Sequence, residues 1–384
     1  MNKSLLILAT SVGIALSSPL VLAAPWGITA NVDDHTISTV DFGTPSPTVY
    51  GPHLAGQLGT TGQTLDVAVA PNGQFGLVSN FGDYHIYRVD LSNPQSPSVS
   101  TSMVAPVYPE DITISADGTW ATVTDGGSSP NLMFLNLSTN TLTNYALTTP
   151  SGSAQANVII GQTVIVADYF GQRLIYGQTN AGHTALLSET PVSTAYRPVN
   201  LAVNPAGTLL IAAMDNGSGT GGVQAFTFSG GVLSPASSLD VGATQSVVFS
   251  PDGTRAYALT STAPNTLVEI AISGSTLSLT GRTANLLGNS TSSFFGIDAL
   301  AMSADGTFMI AGNPGPGAPT QNIVRVETAT MAPSTITLGV NYPVGVALFG
   351  GAAPIPTLSE LSMLLLFLMM GGLTYHMRRQ HRDR

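Results

Sequence analysis

The sequence of 384 residues contains no cysteine. Disulfides, thiolate nucleophiles and cysteine ligands for zinc, haem or iron–sulfur clusters are therefore excluded. The six histidines show no spacing typical of metal ligands, and no serine lies in the Gly-x-Ser-x-Gly context of a nucleophile elbow. The most recognisable sequence signatures of hydrolases and electron carriers are thus missing, and stability has to come from a packed core.

Positive charge is also scarce. No lysine follows Lys3, and only six arginines stand against 19 acidic residues between positions 25 and 355. Such a surface repels polyanions, so the sequence predicts no nucleic-acid partner and no binding to anionic lipid. Because charged residues make up 8% of the chain, ion-pair networks are too sparse to be a main source of stability.

What the chain does contain is a repeated hairpin, seen most clearly over residues 249–259. An apolar strand runs into a turn with proline or alanine first, then aspartate or asparagine, then glycine, and a second apolar strand follows. The turns recur at intervals of 45 to 53 residues, with one gap of 89 that holds a shortened copy. A hairpin repeat at this period predicts a β-propeller with one four-stranded blade per repeat. The turn glycines are Gly73, Gly118, Gly161, Gly207, Gly253 and Gly306.

The two ends of the repeat region supply one more blade. Residues 342–349 read as a first strand without a hairpin partner, whereas residues 26–31 and 36–41 read as second and third strands without a first. Joining them closes the ring and removes exposed sheet edges. The sequence therefore predicts an all-β fold, a seven-bladed β-propeller over residues 25–350, whose last blade is closed by N- and C-terminal strands.

Two stretches carry a family resemblance. Residues 30–41 and 78–90 each run from an aliphatic strand ending in asparagine (Asn31 and Asn80), through a polar turn, into a strand ending in aspartate. They resemble the YVTN-type β-propeller repeat, and the resemblance extends over roughly residues 25–350. It implies the propeller fold and leaves the function open, since propellers host many unrelated activities.

The N-terminal stretch has the pattern of a secretory signal peptide. Lys3 precedes an apolar run from Leu5 to Leu16, and small residues end the segment at Ala23 and Ala24. We predict a signal peptide over residues 1–24 and export through the Sec machinery. The alternative is an N-terminal membrane anchor, which the shortness of the apolar run disfavours.

The C-terminal stretch has the pattern of a sorting signal. A linker over residues 351–360 precedes an apolar segment, residues 361–377, and a basic tail, residues 378–384, which is the order of a membrane helix with a cytoplasmic basic end. The linker resembles the IPTL-type signal, although Leu361-Ser362 stands where that family has Trp-Gly. The residues of the predicted signal are Ile355, Pro356, Thr357, Leu358, Ser359, Glu360, Arg378 and Arg379.

The resemblance to sorting signals implies a partner and an address. The partner is an exosortase-like membrane protease, and the address is the envelope of a Gram-negative bacterium. We predict transient anchoring in the inner membrane, then cleavage and release or display at the outer surface. A permanent tail anchor is the alternative.

Candidate site residues come from the central channel, where the first strands of propeller blades converge. One column of the repeat carries Asp66, Asp111 and Asn200, and the shortened repeat is expected to add Asn157. Carboxylate and amide oxygens suit a hard cation, so calcium is the predicted ion, with solvated polar residues as the alternative explanation. The residues predicted to contact a ligand beside this ring are Glu110, Arg197, Gln245 and Asp298.

No catalytic set stands out from the sequence, so enzymatic activity is left uncertain and a non-enzymatic role is preferred. On this hypothesis the protein is an exported surface or secreted propeller that acts as a binding or structural module. The alternative is a Ca²⁺-dependent, lactonase-like hydrolase with its site in the channel. There the ion would polarise an ester carbonyl and a carboxylate would act as base.

Overall fold

The computed structural model describes residues 25–61, 63–127, 130–148, 152–262, 265–286, 298–312 and 322–350. Every helix or strand assigned in these ranges is a β-strand, and none of these residues forms a helix long and apolar enough to span a membrane. The predicted signal peptide (1–24), sorting linker (351–360), membrane helix (361–377) and basic tail (378–384) lie outside the described residues and stay predictions.

The described residues form 28 strands in seven four-stranded antiparallel sheets, the blades. Blade 1 begins with β1 (Trp26–Asn31), β2 (Thr36–Asp41) and β3 (Thr48–His53). Blade 2 consists of β4 (Thr64–Val69), β5 (Phe75–Asn80), β6 (His85–Asp90) and β7 (Ser98–Val104). Blade 3 consists of β8 (Pro109–Ile114), β9 (Trp120–Asp125), β10 (Asn131–Asn136) and β11 (Thr141–Ala146). Blade 4 consists of β12 (Ala154–Ile160), β13 (Thr163–Asp168), β14 (Arg173–Gln178) and β15 (Thr190–Ser193).

The remaining blades follow the same order from the channel outward. Blade 5 consists of β16 (Pro198–Val203), β17 (Leu209–Asp215), β18 (Gly221–Ser229) and β19 (Val232–Leu239). Blade 6 consists of β20 (Thr244–Phe249), β21 (Arg255–Thr260), β22 (Thr266–Ser273) and β23 (Thr276–Asn285). Blade 7 consists of β24 (Leu300–Met302), β25 (Phe308–Ala311), β26 (Asn322–Glu327) and β27 (Ala332–Thr337). The last strand, β28 (Pro343–Phe349), returns to blade 1 as its innermost strand.

The ring closes as the sequence predicts. Strand β28 pairs antiparallel with β1, with Ile28 opposite Ala347, and it also contacts the innermost strands of blades 2 and 7. The seven-bladed all-β propeller is thereby confirmed. Pairing the two ends inside one sheet ties the chain into a ring without a disulfide and covers the inner edge of β1.

The repeated turn has the geometry that its residues require. In blade 3 the Asp117 carboxylate accepts hydrogen bonds from the Ser115 hydroxyl at 2.7 Å and from the Thr119 amide at 3.0 Å. Gly118 has φ of +68°, which only glycine adopts without strain. The same pattern recurs around Asp252 and Asp305, so the turn is held by its own side chain.

Asparagine or aspartate ends the second strand of several blades because it holds the next turn. The Asn80 side chain accepts hydrogen bonds from the amides of Gly82 and Asp83, each at 3.2 Å. Asp125 accepts from the Gly127 amide at 2.9 Å in the same way. This is the physical reason for the aliphatic-asparagine strand end seen in the sequence.

The core lies between blades. Each of the seven interfaces between neighbouring blades contains one cluster of buried apolar side chains, and the ring is continuous. Between blades 2 and 3, for example, Leu77, Ile112 and Val123 are at most 1% exposed. The innermost strands are therefore fixed from both sides, which makes the channel a rigid frame for any site built in it.

Candidate functional site

Most of the innermost strands begin with a β-bulge, and the bulges shape one end of the channel. The pairing register shifts between Thr64 and Val67 in β4 and between Pro109 and Ile112 in β8. Shifts also occur near the start of β12, β16 and β20. A bulge bends its strand and redirects a side chain, so the residue inside it leaves the ordinary alternation of a strand.

Asp66 and Asp111 sit inside these bulges. Their backbone amides donate to hydroxyls of the neighbouring strand, Asp66 to Ser79 Oγ and Asp111 to Thr124 Oγ1, both at 3.1 Å. The ladder bonds lost at the bulge are thus replaced, and the carboxylates are free to turn toward other blades.

Three carboxylates from three blades converge here. One oxygen each of Asp66, Asp111 and Asp298 lie within 4.8 Å of one another. Asp66 and Asp111 are buried, and Asp298, just before β24, is half-buried. We call these three residues the channel carboxylates.

Backbone amides of other blades hold the channel carboxylates in place. The Ile112 amide donates to Asp66 Oδ2 at 2.9 Å, and the Asp298 amide donates to Asp66 Oδ1 at 3.3 Å. The Asn157 amide donates to Asp111 Oδ2 at 2.7 Å. Each bond joins different blades, so the cluster is fixed by the ring as a whole and not by one loop.

Asn157 and Asn200 each donate a hydrogen bond from the side-chain amide to one of the channel carboxylates. Asn157 donates its side-chain amide to Asp111 Oδ2 at 2.7 Å, and its oxygen accepts from Thr122. Asn200 donates to Asp298 Oδ1 at 3.1 Å, and its oxygen accepts from the Val247 amide at 3.1 Å. Both amide oxygens accept a hydrogen bond within the protein, and the ligand role expected for these two residues stays a prediction.

Asn157 also differs in register from its expected place in the column. It pairs with Val166, as Val67 pairs with Val78 and Ile112 with Val123. The residue that corresponds to Asp66 and Asp111 is therefore Ala156. The shortened turn at Gly161 explains the offset, because counting back from a longer turn misplaces the column by one residue.

The residues predicted to contact a ligand are dispersed. Glu110 is buried beside the cluster, and its Oε2 atom has no hydrogen-bond partner among the described residues. Gln245 is fully buried in the bulge of β20. Arg197 lies against the aromatic rings of Tyr169 and Phe170, at 5.1 and 5.6 Å from their centroids. Only Asp298 of this group joins the channel carboxylates.

Burial and mutual repulsion hold protons on these acids. Burial, followed by the charge of Asp298, raises the pKa of Asp66 to about 8. Burial raises the pKa of Asp298 to about 6, against the opposing hydrogen bond from Asn200. The pKa values of Asp111 and Glu110 are raised well above the usual range, again mainly by burial. In the absence of a cation, the cluster therefore retains protons at neutral pH.

No described arginine balances the channel carboxylates. Arg173 pairs with Asp168, Arg325 with Glu327, and both Arg255 and Arg282 with Glu269. Arg88 donates to the Leu137 carbonyl at 2.6 Å and lies over the Phe75 ring. The positive charge that would neutralise the ionised cluster thus has to come from a proton or from a bound cation.

A cavity reaches the cluster from the opposite end of the channel. It has a volume of about 440 Å³ and is lined by innermost strands of blades 3 to 7 and by the hairpin turns of blades 5 to 7. Asp298 and Asn157 belong to its lining. Other lining positions, such as Thr113 and Ala202, were not predicted from the sequence; they follow Asp111 and Asn200 by two residues along the same strands.

Comparisons with known proteins find solved structures of the same fold. No protein-family model matches the sequence, and the search of curated proteins found no match. Among solved structures, a functionally unknown protein from Desulfotomaculum acetoxidans has a TM-score of 0.69 at 14% identity, over 84% of this chain and 98% of that chain. The periplasmic gluconolactonase of Pseudomonas aeruginosa has a TM-score of 0.67 at 15% identity, over 86% and 100%. A candidate 6-phosphogluconolactonase from Bacteroides uniformis has a TM-score of 0.66 at 13% identity, over 85% and 100%.

These comparisons correct the preferred function. The sequence analysis favoured a non-enzymatic binding or structural module, whereas two of these propellers are described as lactonases, one of them periplasmic. The hydrolase alternative is therefore the better supported of the two hypotheses. Identities of 13 to 15% show the fold alone, so the activity has to follow from the chemistry of the site.

Proposed function

We propose that this protein is an exported, divalent-cation-dependent hydrolase of cyclic esters, with its site in the central channel. The observation that carries the proposal is the convergence of Asp66, Asp111 and Asp298 without a described basic partner. A cavity large enough for a small molecule leads to it. The lactonase-like propellers of the same fold support the choice of reaction.

The channel carboxylates fit a hard cation such as calcium. Ca²⁺ binds oxygen at about 2.3 to 2.6 Å, so two ligands on opposite sides of the ion stand about 5 Å apart. The carboxylate oxygens here lie within 4.8 Å of one another. Two carboxylate ligands, Asp66 and Asp111, leave several of the six to eight calcium positions for water and substrate and leave Asp298 available as a base, as a catalytic site requires.

Each residue has a distinct role on this proposal. Asp66 and Asp111, fixed by backbone amides, would hold the cation, and Asn157 would keep Asp111 oriented. A bound cation would supply polarisation of the lactone carbonyl. Asp298, which alone of the three lines the cavity, would accept a proton from the attacking water. The new bond joins that water to the carbonyl carbon, the ring C–O bond breaks, and the proton passes to the ring oxygen to give a hydroxy acid.

The test combines binding with turnover on the full-length chain purified without chelator. We expect calorimetry to show about one calcium ion per chain, and δ-valerolactone hydrolysis to stop when EDTA is added. Asp298→Asn should lower kcat/KM by about 100-fold or more, since a positioned base contributes at least that factor. Asp66→Asn should lose calcium binding as well as activity.

Asp117→Asn is the matched control, because Asp117 lies in a hairpin turn outside the cavity and asparagine can still accept the Thr119 amide. It should keep both calcium binding and turnover. Hydrolysis that is insensitive to EDTA and to Asp298→Asn would contradict the proposed site.

We further propose export and C-terminal sorting. The support is the signal-peptide pattern of residues 1–24, the IPTL-like motif of residues 355–360 with Arg378 and Arg379, and the periplasmic address of one similar propeller. The YVTN-type repeat resemblance is compatible with such an address. Mass spectrometry of the surface-fraction protein should find a chain that begins near residue 25 and ends near residue 355. Intact tails beyond residue 361 would favour a permanent anchor.

A further inference from the structure

The substrate side of the channel differs chemically from its carboxylate side. The 440 Å³ cavity follows β24 from Asp298, before the strand, to Ala304 in the hairpin turn. At about 3.3 Å per residue this path is roughly 20 Å long. The cavity therefore holds more than the ring of a small lactone, and whatever extends beyond the ring must lie along the channel.

One side of this path is lined by aliphatic side chains. Val158, Val203, Val248 and Met302 line it and are only half-buried, although side chains of this kind are usually covered in a core. They come from four neighbouring blades, so the apolar surface forms one side of the path, beside the polar residues Thr113, Ser250 and Ser303. An apolar ligand that covers this surface would remove it from water, which is favourable.

The wall also lacks positive charge. Asp298 is the sole ionisable side chain among the described residues that line the cavity. A phosphate or carboxylate on the substrate would meet no arginine along this wall and would lose its hydration there without a charged partner. A polyhydroxylated chain would lose part of its hydrogen bonding to water against the aliphatic side of the path.

We propose that the substrate is an uncharged lactone that carries an aliphatic chain. Its ring lies at Asp298, and its chain extends past Val158 and Val248 toward the hairpin turns of blades 5 to 7. The inference rests on the proposed hydrolase function and narrows it, because it excludes phosphorylated and polyhydroxylated sugar lactones as preferred substrates.

The test measures chain-length dependence on the full-length chain in the presence of Ca²⁺. The substrates are δ-lactones with methyl, propyl and pentyl substituents, together with glucono-δ-lactone and its 6-phosphate. We expect kcat/KM to rise by about fourfold for each added methylene, the factor that corresponds to about 0.8 kcal/mol per buried CH₂. The 6-phosphate should be the poorest substrate.

Calorimetry with the corresponding alkyl δ-lactams, which resist hydrolysis, separates binding from turnover. Their affinity should follow the same chain-length series. Val248→Thr and Met302→Gln keep side-chain size and should flatten the series, with the largest loss for the pentyl compound. Val232→Thr, at an exposed position of β19, is the control and should change nothing.

The outcomes distinguish the two proposals. A chain-length series in lactam binding without any lactone hydrolysis would support the aliphatic ligand class and overturn the hydrolase function. Hydrolysis that favours glucono-δ-lactone or its 6-phosphate, with no effect of chain length, would overturn this inference and leave the hydrolase function standing. Neither binding nor hydrolysis would overturn both.

Discussion

Raising the pH of the cation-free protein from 5 to 8 is expected to lower its free energy of unfolding. Proteins whose carboxylates form ion pairs show the opposite trend, because their carboxylate pKa values are lowered. The fall expected here is caused by the channel carboxylates, above all Asp66, whose pKa is raised by burial to about 8. In the folded state Asp66 keeps its proton over a range in which the unfolded chain has already released it. The folded state thus binds more protons, and stability must fall as pH rises.

The sign and the window follow from the same pKa. The stabilisation is fully present below the usual aspartate pKa of 3.8 and is lost as pH rises toward the folded value of about 8. At about 1.4 kcal/mol per pH unit, the loss between pH 5 and pH 8 is about 4 kcal/mol. This is a large part of a total stability of about 5 to 15 kcal/mol.

A cation should reverse the loss. At a calcium concentration 100 times its Kd, binding to the folded state alone adds about 2.7 kcal/mol. The effect should be large at pH 8, where protons no longer compete for the carboxylates, and small at pH 5. Urea denaturation at both pH values, with EDTA and with calcium, measures all four stabilities.

Two variants isolate Asp66 from other titrating groups. Asp66→Asn should reduce the fall in stability between pH 5 and pH 8, with the remainder due to Asp111, Glu110 and Asp298, and should remove the calcium effect. Asp117→Asn should change neither, because hydrogen bonds from Ser115 and Thr119 lower the pKa of Asp117, whose titration is complete below pH 5. The free energy of unfolding of the wild type in EDTA should fall more between pH 5 and pH 8 than that of Asp66→Asn. Equal changes in the two proteins would refute the reasoning.

Two further predictions concern the frame around the site. Arg282→Met should lower the free energy of unfolding by about 1 to 3 kcal/mol in urea titrations, because Arg282 pairs with buried Glu269 and donates to the Thr328 and Ala329 carbonyls of blade 7. An unchanged urea midpoint would contradict it. Gly126→Ala should cost about 1 to 3 kcal/mol, because a Cβ there would lie 2.4 Å from Glu110 Oε2. Gly182→Ala, whose Cβ meets nothing closer than 3.9 Å, should be neutral, and equal losses would argue against crowding.

The fold was predictable because its determinants are local and repeated. Turns such as Ser115–Thr119 are held by hydrogen bonds between neighbours in sequence, so each hairpin can be predicted from its own short stretch of residues. The period then fixes the number of blades, and the unpaired strand ends fix the closure through β28 and β1.

The site was predictable only in part because its determinants are distant in sequence. Asp66 and Asp111 follow the repeat, so a column count finds them. Asp298 joins them through contacts with Asp66 and Asn200, which are 232 and 98 residues away. The bulges that turn these side chains inward depend on strand pairing, which the composition of a single strand does not reveal.

Glu269 and the channel carboxylates have different surroundings, and the difference argues for a missing positive partner in the channel. Glu269 is fully buried, and two of the six arginines of the propeller region are placed beside it. Asp66 and Asp111 are equally buried, yet no described arginine pairs with them or with Asp298. Asp125 and Asp215 are also buried without a described arginine, and each accepts a hydrogen bond from a neighbouring side chain. What distinguishes the channel is that three carboxylates meet there. Burying three carboxylates together without a positive partner lowers the stability of the fold, and such local costs are expected at functional sites. A cation bound to the channel carboxylates would remove this cost.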